Sequence, residues 1–204
     1  MIAIDIVDAL ELLKQHGIRV ARSKFVDCAE DAIAFAQRRS NGDPRLVPIV
    51  LRPAAVPAPA ETPLRGDAAI REAYDRAHAA ANGGHVLAQA VAEPGSAIVI
   101  AGRIDPDNGK TIALHGATHG VERMVPLDEA GATILATNFQ AHHHHGGDEK
   151  TRRMLEHLLL RVSAFYEDSG VTEFRLGVRL HDNAYTVVDA TMTAAKALHV
   201  RART

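Results

Sequence analysis

The chain of 204 residues has a single cysteine, Cys28, and no tryptophan. One thiol cannot close an internal disulfide, so packing must hold the fold, and a reducing, cytoplasmic location is expected. Aromatics make up only 4% of the residues, too few for a surface that stacks single-stranded nucleic acid. Acidic and basic residues nearly cancel, at a net charge of −2, so charge gives no reason to expect a nucleic acid partner. No apolar run reaches the about 18 residues that a membrane helix needs. The opening segment is acidic and amphipathic rather than basic and then apolar, so neither a membrane span nor a signal peptide is expected. No internal repeat is evident.

What is present is the composition of a globular protein, 47% hydrophobic and 24% charged. That suits one domain or two small lobes. Residues 5–16 read as a helix: Asp5 can cap it, Ile6, Leu10 and Leu13 share a stripe, and Gly17 ends it. Ile18 to Val20 reads as extended. Asp27 to Arg39 reads as a second helix, with Asp27 and Glu30 at capping-box spacing. Leu46 to Leu51 reads as a buried strand, with Pro48 placing it at an edge or at its start. A loop with Pro53, Pro57, Pro59 and Pro63 follows, then a helix over 67–82.

Three short apolar runs come next, Val86–Val91, Ile98–Ala101 and Thr111–Leu114. Pro94-Gly95 and Asn108-Gly109 separate them as hairpin turns would. The third opens into a loop, HGATHGVE. A short helix is expected over 128–136 and a loop over 138–147, which holds His142 to His145. Glu149 to Ser169 is the strongest helix, with a wide apolar stripe from Met154 to Tyr166. Phe174, Leu176, Val178 and Leu180 then alternate as a half-buried strand. His181-Asp182-Asn183 turns it into a partner over 185–188 that ends at Asp189. Intermixed helices and antiparallel hairpins give an α+β class.

The order of these pieces resembles the ATP-grasp subunit of NDP-forming acyl-CoA synthetases, the succinyl-CoA synthetase-like and acetate–CoA ligase-like enzymes. Val86-Leu87-Ala88-Gln89, Pro94-Gly95, Ile98-Val99-Ile100, Asp105-Pro106 and Ile112-Ala113-Leu114 follow in the family's order. Pro48-Ile49-Val50-Leu51-Arg52 is similar to its strand PVVLK. Glu173-Phe-Arg-Leu-Gly-Val with Val187-Val188-Asp189-Ala190 is similar to its ExxxNP…DA closing hairpin. The resemblance implies an ATP-grasp-like fold of two lobes, over about 1–84 and 85–204, with a cleft between them. It implies a ligase using ATP and Mg²⁺. Arg52 would hold phosphate where the family has Lys, the hinge at Gln89, Ala90 and Val91 would read adenine, and Asp189 would hold the metal. It also implies a partner, a CoA-binding and phosphohistidine-bearing α-like subunit. A homo-oligomer is also compatible with it.

The sequence departs from the family at named positions. Gly177 stands where the family has its metal-binding Asn, and Ser96-Ala97 where it has an acidic residue. The proline-rich loop replaces a Ser and paired glycines, and HGATHGVE replaces a glycine-rich loop. A second reading is therefore an inactive binding or regulatory module that keeps the fold. A third is a metal-dependent enzyme using His115, His119 and Glu122, whose types suit Zn²⁺, although Gly116 and Gly120 favour a loop with little preorganisation. Gly109-Lys110-Thr111 lacks the spacing of a phosphate loop and reads as a hairpin turn. The acyl substrate and the role of the histidine run are not legible.

Overall fold

The computed structural model describes residues 1–37, 48–54, 63–116, 120–143 (141–143 by their backbone), 149–181 and 184–197. The fold is α+β, and it divides into two compact units. The smaller comprises Asp5–Val7 and Ala21–Ala92, the larger Met1–Ile4, Asp8–Val20 and Glu93–Thr204. The dividing point is thus at 92/93 rather than 84/85, and most of the first twenty residues belong with the larger unit. No described helix is long and apolar enough to cross a membrane.

The smaller unit is an antiparallel sheet of β2 (Ser23–Val26), β4 (Val86–Ala90) and β3 (Ile49–Pro53), with β4 in the middle. Two helices, α2 (Ala29–Gln37) and α3 (Asp67–Ala81), cover one face. Ile33, Phe35, Ile70 and Tyr74 from the helices form a core with Val26, Ile49, Leu51, Val86 and Ala88 from the strands. Strand β3 begins just after Pro48 and lies at the sheet edge, where a residue without an N–H is tolerated. Helix α3 ends at Asn82, which takes the left-handed conformation.

Several expectations need correction here. The strand after the first helix is Ser23–Val26; Val20 makes only a lone bridge to Val187. Helix α2 starts at Ala29, and Glu30 pairs with Arg71 on α3 instead of closing a capping box. Most important, β4 forms no hairpin with the next strand. Its edges are taken by β2 and β3, so Pro94-Gly95 links two sheets. Leu46, Val47 and residues 55–62 of the proline-rich loop lie outside the described residues.

The larger unit has a six-stranded antiparallel sheet. Its strands are β1 (Ile2–Ile4), β5 (Ser96–Asp105), β6 (Gly109–His115), β7 (Gly120–Met124), β8 (Val171–His181) and β9 (Ala184–Ala194), in the order β1-β9-β8-β5-β6-β7. Helix α5 (Glu149–Asp168) buries Leu155, Leu158, Leu159, Val162, Phe165 and Tyr166. Phe174 on β8 meets Phe165 and Tyr166 edge-on, at 5.9 and 4.9 Å between ring centres. Burial pushes the Tyr166 phenol up to about 12, and it donates to Thr172 O at 2.8 Å. Helix α1 (Ile6–Gln15) is capped by Asp5, whose carboxylate accepts from Val7 N at 2.9 Å. Gly17 closes it at φ +72°, with Ile18 N bonded to Leu13 O and Gly17 N to Lys14 O. This is a Schellman ending, which needs a left-handed residue.

Three further differences concern this unit. The expected loop HGATHGVE begins and ends in strand: β6 runs to His115 and β7 starts at Gly120, and residues 117–119 lie outside the described residues. Helix α4 (Glu129–His143) is longer than expected and takes in His142 and His143; His144 and His145 lie outside the described residues. Asp189 lies within β9, not at its end. Asp182 and Asn183 are also outside the described residues, but the β8–β9 register closes at His181 and Ala184, as the hairpin requires.

Candidate functional site

Arg52 and Gln89 in the smaller unit, and Gly177 and Asp189 in the larger, each share one sheet face. In the smaller unit, Arg52 stands opposite Leu87 in the ladder, and Val50 opposite Gln89. Ile49, Leu51, Val86 and Ala88 point at the helices. By the alternation of a strand, Arg52 and Gln89 share the other face, one step apart diagonally. Arg52 is only 1% exposed. A guanidinium does not give up its charge when buried, so this face carries a fixed cation.

Gln89 is oriented from the side: its amide Nε2 donates to Ser23 Oγ at 3.0 Å, and that hydroxyl donates to Ala21 O at 3.1 Å. Ala90 N donates to Arg22 O at 2.9 Å and Val91 N to Pro48 O at 3.1 Å. What Ala90 and Val91 can present to an adenine is therefore carbonyl oxygen, an acceptor for the exocyclic amine, and not a free N–H. Ser23 was missed by sequence reasoning, because only the β2–β4 register brings it to Gln89.

In the larger unit, Asp189 lies directly across from Gly177, the position where the family resemblance puts its second metal ligand. A Cβ built on Gly177 would sit 3.2 Å from Asp189 Cβ. The two positions therefore project from the same side of the sheet. The ladder slips by one residue here, since Gly177 pairs with Asp189 but Val178 pairs with Val187. Such a bulge re-aims nearby side chains. Arg175, two residues before Gly177, projects on the same side as well and is exposed. Sequence reasoning passed over Arg175; the alternation with buried Phe174, Leu176 and Val178 was the signal that could have found it.

His115 and Glu122 stand on neighbouring strands, with His115 across from Gly120 and Ala113 across from Glu122. They share no helix. His115's ring fills the space above Gly120, where a Cβ would meet Nδ1 at 2.2 Å. Glu122 accepts from Thr111 Oγ1 at 2.6 Å and from Arg103 at 3.2 and 3.1 Å. The Thr111 hydroxyl, and after it Arg103, hold its carboxyl below the ordinary range against the effect of burial. His119 lies outside the described residues. Among the described residues, no three His, Cys, Asp or Glu side chains converge as a metal site would require. Lys110 serves the fold: its ammonium caps the end of α5 at Tyr166 O and Glu167 O, and lies 4.6 Å from the Tyr166 ring centre.

No family model matches the chain, and no curated protein does. Solved structures do. The dinucleotide-forming acetyl-coenzyme A synthetase 1 of Ca. Korarchaeum cryptofilum superposes at a TM-score of 0.78 with 20% identity, over 94% of this chain and 93% of that one. The fold is that of this synthetase chain. PH1788 from Pyrococcus horikoshii Ot3 matches at a TM-score of 0.78 and 20% identity, over 93% and 90%. ATP citrate lyase from Methanothrix soehngenii matches at 0.60 and 13%, over 95% of this chain but 51% of the lyase chain. The Korarchaeum enzyme has been solved with coenzyme A and a magnesium-bound ATP analogue, its phosphohistidine segment pointing towards the nucleotide binding site.

Proposed function

We propose that this chain is the ATP-grasp-like, nucleotide-binding component of an acid–CoA ligase that forms a nucleoside diphosphate. The observation that carries this is the match over more than nine tenths of both chains to a synthetase that has been solved with an ATP analogue. In this reading Arg52 takes the nucleotide's phosphates, and Gln89, Ala90 and Val91 take the adenine. A partner chain supplies the coenzyme A site and the phosphohistidine, and the whole works in the cytoplasm. Phosphoryl transfer of this kind depends on position and charge neutralisation more than on covalent help from the protein.

The magnesium implied by the resemblance has one candidate ligand, Asp189. Gly177 brings no side-chain oxygen, so the donor set falls short of the family's pair. That shortfall favours a second reading, a nucleotide-binding regulatory module without turnover. A metal enzyme using His115, His119 and Glu122 has less support, because Glu122 is already held by Thr111 and Arg103.

Calorimetric titration with ATP tests the proposal. Binding at millimolar ATP or below is expected. Arg52→Met should weaken it about tenfold, the usual worth of a charge-assisted phosphate contact. No heat at millimolar nucleotide, or an unchanged Arg52→Met variant, would remove the nucleotide reading. ADP release with a partner chain and acid substrate separates a ligase from a silent module.

A further inference from the structure

The start of β3 makes backbone bonds on both sides. On one side Ile49 exchanges two bonds with Leu64: Ile49 N donates to Leu64 O at 3.3 Å, and Leu64 N to Ile49 O at 2.8 Å. By alternation, the backbone groups of Pro48 turn to the other side, toward β4. Ile49 is in register with Ala90, so Val91, the next residue, stands across from Pro48. Val91 N donates to Pro48 O at 3.1 Å. In an antiparallel ladder such a pair exchanges two bonds. The return bond cannot form, because proline has no N–H. An edge strand tolerates proline where the missing donor would face solvent; here the side without the donor is the inner one. The Val91 carbonyl is therefore an acceptor that the ladder leaves open, and nothing else among the described residues donates to it. Val91 is partly exposed, and all of these residues belong to the smaller unit.

We infer that Pro48 is a specificity-determining residue for the base: by withholding an N–H, it keeps the Val91 carbonyl open to an exocyclic amine. The inference rests on the proposed nucleotide binding and adds which bases that site takes. The N–H groups of Ala90 and Val91 are both spent, on Arg22 O and Pro48 O. These two residues thus offer a base acceptors and no donor. A base with an amine, such as adenine, supplies the donor that Pro48 lacks. A base without one shields the carbonyl from water and leaves it unpaired, which is how a polar site rejects an analogue. Any other residue at 48 would bring an N–H and draw the carbonyl back into the ladder. The sheet would gain a bond and the base would lose one, so the substitution acts on the two in opposite directions.

The test is calorimetric titration of the full chain with ATP and with purine riboside triphosphate, which lacks only the amine. The wild-type chain is expected to prefer ATP about fivefold, the worth of one neutral hydrogen bond. In Pro48→Ala the preference should fall to about twofold or less, while affinity for inorganic triphosphate stays within about twofold of wild type. The new amide at position 48 should be protected from hydrogen exchange, because it enters the ladder. Pro48→Val supplies the same N–H with a better strand former and is used if Pro48→Ala does not fold. No preference for ATP in the wild type, an undiminished preference in the variant, an exchanging amide at 48, or equal losses for ATP and inorganic triphosphate would each overturn the inference while leaving nucleotide binding intact. Failure of ATP to bind the wild-type chain would overturn the nucleotide reading, and the inference with it.

Discussion

Glu122 shows how a residue's surroundings decide what it can do. Thr111 and Arg103 both bond its carboxylate and hold its pKa below 4.5, the ordinary value. The folded-state value is thus lower than the unfolded one. Its stabilising contribution is complete above about pH 4.5 and is lost as the pH falls through the lower, folded value. Removing the largest cause, by Thr111→Val, should raise the Glu122 pKa and shrink the loss of stability between pH 7 and pH 3. NMR titration of the Glu122 side-chain carboxyl carbon checks this, and an unmoved titration would contradict it. At this scale the sequence was partly legible. Local strings carry the resemblance that singles out Asp189, Gly177 and Arg52, and the pairing of Asp189 with Gly177 agrees with a closing hairpin. The sequence did not yield Ser23 beside Gln89 or Thr111 beside Glu122, because those contacts depend on register between strands far apart in the chain or on opposite sides of a turn.

Elements with a strong internal pattern were readable, and elements fixed by their partners were not. Helix α5 needs only its apolar stripe, and α1 its Asp5 cap and Gly17 stop. Strands β1, β2 and β7 are short, with little alternation, and exist because β9, β4 and β6 present open edges to them. The centre of the large sheet can be tested through Gly102. Phe174 lies against it so closely that a Cβ there would come within 2.1 Å of the ring. The ring is wedged against Phe165 and Tyr166 and has little room to withdraw. Gly102→Ala should therefore cost about 2 kcal/mol, as overpacking does. Adding Phe174→Leu, which removes the clashing ring atoms, should cost less than the sum of the two single changes. Urea unfolding of the four proteins measures the coupling; strict additivity would mean that the ring moves aside freely.

At the scale of the molecule, the class α+β could be read from the order of elements, but the division could not. Strand β4 looks, in sequence, like the first of three hairpin strands, yet it completes the smaller sheet, and the first four residues add an edge strand to the larger one. Periodicity reports which face of a strand is buried and says nothing about the strand beside it. Each unit has a core of its own. Ile70 is buried among Phe35, Ile49 and Tyr74 in the smaller, and Leu158 lies on the buried face of α5 in the larger. Ile70→Val removes one methyl group and should cost about 1 kcal/mol, while Leu158→Ala should cost about 3 kcal/mol. Because neither residue is part of the other's core, the double variant should lose the sum within about 0.5 kcal/mol, the usual behaviour of sites without shared partners. Denaturant unfolding at a single pH measures all four corners. A departure of more than about 1 kcal/mol from the sum would mean that the two cores respond as one packed body, and the division into two units would then describe the backbone but not the energetics.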